Sequence, residues 1–170
     1  MKMKPLIIFP DPILREISQP IERVDIDIIS LVDDMLDVMY YNNGVGLAAV
    51  QIGFLYRLVV IDVSRDYKNN NHMVFINPVI LSSSKDCSVC VEGCLSIPDY
   101  RYEVKRPSYI TVKYLNCDLQ PNIIYADGLL STCLQHEIDH LNGILFIDHI
   151  SLLKRNMVKN KFAKLAKLQK

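Results

Sequence analysis

The stretch Gln135 to His149, QHEIDHLNGILFIDH, contains two histidines four residues apart, with a glutamate directly after the first. Positions i and i+4 lie on one face of a helix, so His136 and His140 can bind one metal ion while Glu137 stands beside it. Catalytic zinc-type sites usually have three protein ligands and leave a fourth position open for water. The stretch therefore predicts a metal site on a helix, with one ligand still to be found.

Two known continuations of this motif do not supply the third ligand. A metzincin has a histidine at the position of Phe146, and a thermolysin-like site takes a glutamate from a later helix, but no glutamate follows Glu137. The spacing of His149 from His140 matches no helical return to the same face. The missing ligand should therefore lie upstream. The candidates there are Cys87, Cys90, Cys94, Cys117, Cys133 and His72.

The composition bounds the class of protein. The chain has 170 residues, half of them hydrophobic, which is enough for one domain with a substantial core, so we expect a single catalytic domain over residues 1–170. The apolar run near the N-terminus, Leu6 to Phe9, is only four residues long, so we expect neither a secretory signal nor a membrane span. We expect a cytoplasmic protein, in which five cysteines favour metal binding or catalysis over disulfides.

The formal net charge is zero, but the charges are unevenly distributed. Residues 151–170 carry seven lysines or arginines and no acid, so residues 1–150 hold twelve basic and nineteen acidic side chains. This pattern predicts a basic C-terminal helix over about residues 151–170. A loosely apolar side of that helix is expected from Leu153, Met157, Phe162, Leu165 and Leu168.

Periodicity and turn residues outline the other elements. Asp11-Pro12 is typical of the first turn of a short helix, and apolar residues at 29, 32, 36 and 39 predict a helix from about Asp25 to about Asn42. Segments 58–63, 74–76, 109–115 and 120–125 are β-branched and aromatic, and we predict that they are strands. Asp127-Gly128 would cap the motif helix. The predicted fold class is α+β, with mostly antiparallel strands around the central motif helix, N-terminal helices and a C-terminal helix.

Three motifs occur in order along the chain: GVGLAAVQ (Gly44 to Gln51), EGCLS (Glu92 to Ser96) and QHEIDH (Gln135 to His140). With them the chain resembles a peptide deformylase of the bacterial type, in the class with a basic C-terminal helix, over nearly its whole length. The family hydrolyses the N-formyl group from the formylmethionine that begins nascent polypeptides. The resemblance therefore implies a metal-dependent amide hydrolase.

The resemblance also implies a metal site and a general base. Cys94, His136 and His140 would bind one divalent metal ion, most often Fe²⁺ (iron) in this family, with Zn²⁺ (zinc), Ni²⁺ or Co²⁺ able to occupy the same site. The donor set by itself suits zinc equally well. Glu137 would take the proton of the attacking water and deliver it to the departing amine.

The resemblance further assigns residues to the substrate. The Gln51 amide and the Leu95 backbone N–H would donate to the oxyanion, and one such donor is worth about 3 to 4 kcal/mol. The glycines of the first motif would allow close backbone approach in a segment that lines the cleft. Substrate contacts are implied for Gly44, Val45, Gly46, Arg101, Leu129 and Cys133. Leu129 could instead be a core residue, and Cys133 a metal ligand.

Support for the ligands is implied as well. Asp139 would pair with Arg106 and fix the motif helix against the strand that follows the Cys94 loop, although an ordinary exposed ion pair is the alternative.

Other interpretations of the same motifs remain open. Cys87-x-x-Cys90 invites a structural zinc site. Gly44, Gly46 and Ala49 fit a dinucleotide-binding fingerprint, but a helix precedes them where that fingerprint needs a strand. The metal could also stabilise a binding module through four protein ligands, or serve a peptidase that cleaves internal bonds.

The basic tail has three possible roles: a closing helix, a membrane contact or a ribosome contact. A membrane-binding helix would usually carry a broader apolar face, so we expect no membrane binding, and we expect no DNA partner. Formylated nascent chains emerge at the ribosome, and family members that resemble this chain dock there. The resemblance thus implies that the tail contacts ribosomal RNA phosphates.

Overall fold

The computed structural model describes residues 3–64 and 71–168. These residues form three helices, α1 (Ile26–Tyr41), α2 (Gly128–Leu141) and α3 (Leu152–Leu168). The strands are β1 (Gly46–Ala48), β2 (Leu58–Ile61), β3 (Met73–Ser83), β4 (Cys87–Cys94), β5 (Ile97–Pro107), β6 (Ile110–Leu115) and β7 (Pro121–Ala126). Short 3-10 segments occupy Pro12–Arg15, Ala49–Ile52 and Phe146–His149. The predicted α+β class is confirmed.

The strands form one sheet and one separate hairpin. The sheet has the order β1-β2-β3-β6-β7, and β4 and β5 form the hairpin between β3 and β6 in the chain. Every pair of these strands is antiparallel. The hairpin carries the second motif and brings Cys94 toward α2.

Strand β2 is buried on both faces because helices α1 and α2 cover opposite sides of the sheet. Leu58 and Val60 pack in the cluster that contains α1, whereas Val59 and Ile61 pack in the cluster that contains α2. Alternate side chains of a strand point to opposite faces, so a strand between two helices must be apolar at every position. Helix α2 therefore lies on the opposite face of β2 from α1.

Helix α1 begins and ends where its capping residues predict. Asp25 is the N-cap, and its carboxylate accepts a hydrogen bond from the Ile28 N–H at 3.2 Å. The helix ends at Tyr41, next to Asn42. Its core face includes Ile28, Val32, Leu36 and Met39, whereas Ile29 is 47% exposed.

The ends of α2 are held in different ways. Asp127 occupies the N-cap position, but its side chain makes no capping hydrogen bond, so only the position of the predicted cap is right. At the C-terminal end, Gly143 has φ +70°, and a Cβ atom there would lie 2.3 Å from the Arg15 carbonyl oxygen. Only glycine avoids this contact and the positive-φ strain, so the 3-10 segment before α1 can close against the end of α2.

Helix α3 packs through a side that matches the prediction only in part, because Phe162 is buried as expected but other predicted apolar residues are exposed. Val158 and Phe162 are buried in a third cluster with Phe9 and Phe146, whereas the predicted apolar residues Leu153, Met157 and Leu165 are 73%, 57% and 43% exposed. The buried side is set by contact with the hairpin and the N-terminal segment, and Val158 and Phe162 are one helical turn apart. The Leu168 side chain lies outside the described residues. None of the described helices combines the length and apolar character needed to cross a bilayer.

Candidate active site

Three ligand atoms converge between β4 and α2. Cys94, His136 and His140 each present one such atom, and these atoms lie within 4.8 Å of one another. Cys94 Sγ lies 3.2 Å from His140 Nε2. Both histidines are buried and Cys94 is half-buried. Within residues 3–64 and 71–168 this is the one group of histidine, cysteine and acidic residues close enough to share an ion.

The other upstream candidates lie apart from this cluster. Cys87 and Cys90 are three positions apart on β4, so their side chains point to opposite faces of the strand and cannot chelate one ion. Cys133 Sγ lies 3.7 Å from the Val45 carbonyl oxygen and is no member of the ligand group. Downstream of the motif, His149 is also outside the ligand group, and its Nε2 lies 2.8 Å from Asp139 Oδ2.

Glu92 supports the ligands in a way that sequence reasoning missed. It is 5% exposed, and its Oε2 lies 3.0 Å from His136 Nδ1. Arg106 donates to both carboxylate oxygens, at 2.5 and 3.0 Å. Burial alone would raise the pKa of Glu92, but the hydrogen bonds from His136 and Arg106 hold it at about 2. The carboxylate thus accepts from Nδ1–H of His136 and leaves the Nε2 lone pair for a metal.

The predicted contact between Asp139 and Arg106 is present, at 2.8 Å. Arg106 is only 5% exposed, so this is no ordinary surface ion pair. The guanidinium joins Asp139 on α2 to Glu92 on β4, although Arg106 itself belongs to β5. A sequence signal for Glu92 exists: it lies two residues before Cys94, on the same face of the strand.

Glu137 is a buried carboxyl group beside the ligands. It is 4% exposed, and its Oε2 has no hydrogen-bond partner in the described part of the chain. Burial raises the pKa of Glu137 to about 7, against the opposing effect of His136. A carboxyl group with this pKa can both accept and release a proton near neutral pH.

The first motif lies within contact distance of α2. A Cβ atom on Gly46 would lie 2.6 Å from Cys133 Sγ and 2.7 Å from Glu137 Oε1, so the backbone of β1 approaches the motif helix as closely as glycine allows. Helix α1 precedes this segment, and β1 and a 3-10 turn follow it. That order differs from the strand, loop and α-helix of a dinucleotide-binding fingerprint.

Gln51 lies behind Cys94 and is 1% exposed. Its Oε1 accepts from the Ala48 N–H at 2.9 Å, and its Nε2 donates to Ser96 Oγ at 3.1 Å. The same Nε2 lies 3.5 Å from Cys94 Sγ. The amide therefore faces the ligand cluster, in an orientation that is fixed by its hydrogen bonds to Ala48 and Ser96.

A cleft of about 730 Å³ opens over the ligands, and His136 and Glu137 form part of its lining. The side chain of Leu129 is 46% exposed and also lines the cleft, which excludes the core-packing alternative. The cleft also reaches Tyr100, which the sequence did not indicate. The predicted substrate residues all line it: Gly44, Val45, Gly46, Arg101, Leu129 and Cys133, together with Leu95.

Comparisons with known proteins agree with this geometry. Residues 3–156 match the model of the family described as polypeptide deformylase. The chain is 58% identical over 167 residues to a peptide deformylase of Agrobacterium fabrum, covering 98% of each protein. It is 59% identical to one of Mesorhizobium japonicum, covering 98% of this chain and 95% of that protein.

Solved structures are similar over the same length. A peptide deformylase from Legionella pneumophila superposes with a TM-score of 0.90 at 45% identity, covering 99% of this chain and 98% of that one. One from Synechococcus elongatus, in complex with actinonin, gives 0.89 at 38% identity, covering 94% of this chain and 87% of that one.

Proposed function

The chain belongs to the peptide deformylase family, metal-dependent enzymes that remove the formyl group from N-terminal methionine, and from this premise we propose how its own residues carry out the reaction. Cys94, His136 and His140 bind one divalent metal ion, and Glu137 is the general base. The observation that carries this proposal is the convergence of three ligand atoms within 4.8 Å, next to a buried carboxyl group, in a cleft of about 730 Å³.

The residues fit a metal ion in two respects. One thiol and two imidazoles are ligands that divalent transition metals accept, and the free Oε2 of Glu137 provides an acceptor beside them. When bound, the metal would lower the pKa of a water molecule and polarise the formyl carbonyl. For its identity we propose Fe²⁺, as the family resemblance implies, although the ligand set by itself accommodates Zn²⁺, Ni²⁺ or Co²⁺ as well. Metal analysis of protein purified without oxygen, with activity measured on the same sample, tests this.

The surrounding residues then act on water and substrate. Glu137 takes a proton from the attacking water and transfers it to the departing amine of methionine. The Gln51 amide and the Leu95 backbone N–H donate to the oxygen that gains charge as the carbonyl is attacked. The hydrogen bond from the Ala48 N–H fixes the Gln51 amide so that it faces Cys94, which supports this role for Gln51.

The cleft walls accommodate the methionine. Val45, Leu129 and Cys133 supply apolar surface for its side chain, and Gly44 and Gly46 leave room for the peptide backbone. Arg101 is exposed at the same cleft, where its guanidinium can donate to the carbonyl groups of the substrate.

The test combines three variants with two substrates. Glu137→Gln should retain the metal but lose most turnover of formyl-Met-Ala, because an amide cannot carry the proton. Cys94→Ala should lose both metal and turnover, while Cys87→Ala, at an exposed cysteine on the same strand, should lose neither. Turnover of unblocked peptides would instead indicate a peptidase, and a tightly bound metal without any turnover would indicate a structural site.

We also propose that α3 contacts the ribosome, where formylated chains emerge in the cytoplasm. Among its described side chains the helix has lysines and an arginine but no acid, and Lys159 and Lys164 are exposed. Truncation is a poor test because it would remove the buried Val158 and Phe162. Lys159→Glu with Lys164→Glu should weaken co-sedimentation with ribosomes at low salt.

The matched control for this test reverses two exposed lysines elsewhere, Lys85→Glu with Lys113→Glu. Wild-type binding should also decrease steeply as salt is added, because phosphate contacts release counterions. Equal binding by both double variants, or binding that salt does not change, would remove α3 from ribosome contact.

A further inference from the structure

Helix α3 is built into the rim of the substrate cleft. The ring of Phe162 is 6% exposed and meets Phe9 edge-on, with ring centroids 5.5 Å apart. Its centroid also lies 6.1 Å from that of Tyr100, a residue that lines the cleft. One position earlier, Lys161 places its Nζ 5.1 Å from the centroid of the Tyr100 ring.

These contacts hold Tyr100 from three directions. Phe162 packs against the ring, Lys161 lies over its face, and Tyr102 stacks beside it at 6.1 Å with the ring planes 28° apart. A phenol ring that is confined in this way keeps one orientation, because each contact would be lost if the side chain rotated. Two of these three contacts come from α3, so the position of the ring at the cleft depends on that helix.

Two further observations favour a role for Tyr100 beyond the proposed methionine site. Tyr100 lies six residues after Cys94, beyond the turn that carries Leu95, whereas the apolar walls proposed for methionine are Val45, Leu129 and Cys133. The cleft of about 730 Å³ is in the range of pockets that enclose drug-sized ligands, so it has room for more than one residue. The family-model match ends at residue 156, before Lys161 and Phe162.

We propose that Tyr100 contacts the residues of the substrate beyond its second position, and that Phe162 and Lys161 are positioning residues that hold its ring at the cleft. This inference rests on the proposed function, because it concerns the rest of the same peptide. The C-terminal helix thereby affects how longer formylated peptides bind, independently of any partner that binds its basic side.

The test compares formyl-Met-Ala with formyl-Met-Ala-Ala-Ala. Tyr100→Ala should raise KM for the longer peptide by about three- to ten-fold, since an aromatic contact is lost, and leave kcat and the short peptide unchanged. Lys161→Gln and Phe162→Leu should raise KM for the longer peptide by about two- to five-fold. Lys105→Gln, the same charge change on β5 at an exposed position, is the control and should have no effect.

A double-mutant cycle separates positioning from general packing. If Phe162 and Lys161 act through Tyr100, neither substitution should have a further effect on KM in the Tyr100→Ala background. Lys161→Gln leaves the core intact, so the test stands even if Phe162→Leu fails to fold. Equal effects on both peptides, or effects that persist without Tyr100, would overturn the inference. A wild-type protein that hydrolyses neither formylated peptide would overturn the proposed function instead.

Discussion

At the scale of single residues, the geometry of the proposed metal ligands depends on a buried carboxylate outside the ligand group. Glu92 accepts from His136 and pairs with Arg106 in a buried site. In Glu92→Gln an NH2 group replaces one of the two acceptor oxygens, and Arg106 keeps only Asp139 as its carboxylate partner. We expect metal affinity to fall by about 10- to 100-fold, as it does when other supporting hydrogen bonds to ligands are removed.

Competition with a chelator measures this change. The matched control is Glu103→Gln, the same substitution at an exposed position of β5, which should leave metal affinity unchanged. If both variants hold metal equally well, Glu92 has no part in orienting His136.

Some residues of the site could be predicted from their spacing, some only from the family resemblance, and some not at all. The spacing of His136 and His140 indicates two ligands directly, because helical geometry brings positions i and i+4 together. Cys94 could be predicted only by resemblance, since five cysteines were available and spacing along the chain does not reveal which one the fold brings near α2. Tyr100 could not be predicted, because its position depends on contact with a helix about sixty residues later.

At the scale of elements, the hairpin shows why a strand can escape prediction. In β4 the half-buried or buried side chains are Ser88, Cys90, Glu92 and Cys94, whereas Val89 and Val91 are 58% and 65% exposed. This alternation is the inverse of the usual one, in which apolar side chains point inward, because the side chains that point inward here belong to the polar cluster proposed to bind a metal. Strand β2 lies between two apolar clusters and is apolar at every position, so it was predicted.

The end of α2 gives a prediction at the same scale. Gly143→Ala should destabilise the protein by about 3 to 5 kcal/mol, because it combines positive-φ strain with a backbone clash. A new Cβ would lie 2.3 Å from the Arg15 carbonyl oxygen. Gly53 also has positive φ, at +88°, but a Cβ there would meet no atom within 4 Å. Gly53→Ala should therefore cost only about 1 to 2 kcal/mol.

Urea unfolding of both variants measures the difference between them. That difference isolates the clash, because both substitutions add the same methyl group to a left-handed backbone. Equal destabilisation would show that the segment with Arg15 moves away without cost.

At the scale of the whole molecule, the sequence predicted the class of fold but not which distant segments pack against each other. Apolar periodicity marks α1 and several strands because their buried faces are continuous along the chain. The third cluster instead joins Phe9, Ile97, Phe146 and Phe162, which are far apart in sequence. Each of these side chains is buried by partners from other segments, so no local pattern identifies the cluster or the buried side of α3.

An ion pair joins the segment before α1 to the segment after α2 in the same region. Arg15, before α1, donates to both carboxylate oxygens of Asp148, which follows α2, and the Leu145 N–H donates to Asp148 at 2.9 Å. Burial alone would raise the pKa of Asp148, but the hydrogen bonds from Arg15 and Leu145 outweigh it and hold that pKa below its ordinary value. The folded state therefore favours the ionised carboxylate.

The sign of the pH dependence follows from this shift. A carboxyl group with a lowered pKa in the folded state stabilises the protein above its unfolded pKa, about 3.9, and loses that contribution as the pH falls through the lower, folded value. Asp148→Asn should thus cost about 1 kcal/mol at pH 7, a value typical of a partly exposed pair, and progressively less below about pH 4. Urea unfolding of wild type and variant at pH 7, 5 and 3.5 measures this, with the exposed Asp86→Asn as control. A loss of stability that stays constant over this range would mean that Asp148 acts through packing and neutral hydrogen bonding. Its charge would then not stabilise the contact between the segments that carry Arg15 and Asp148.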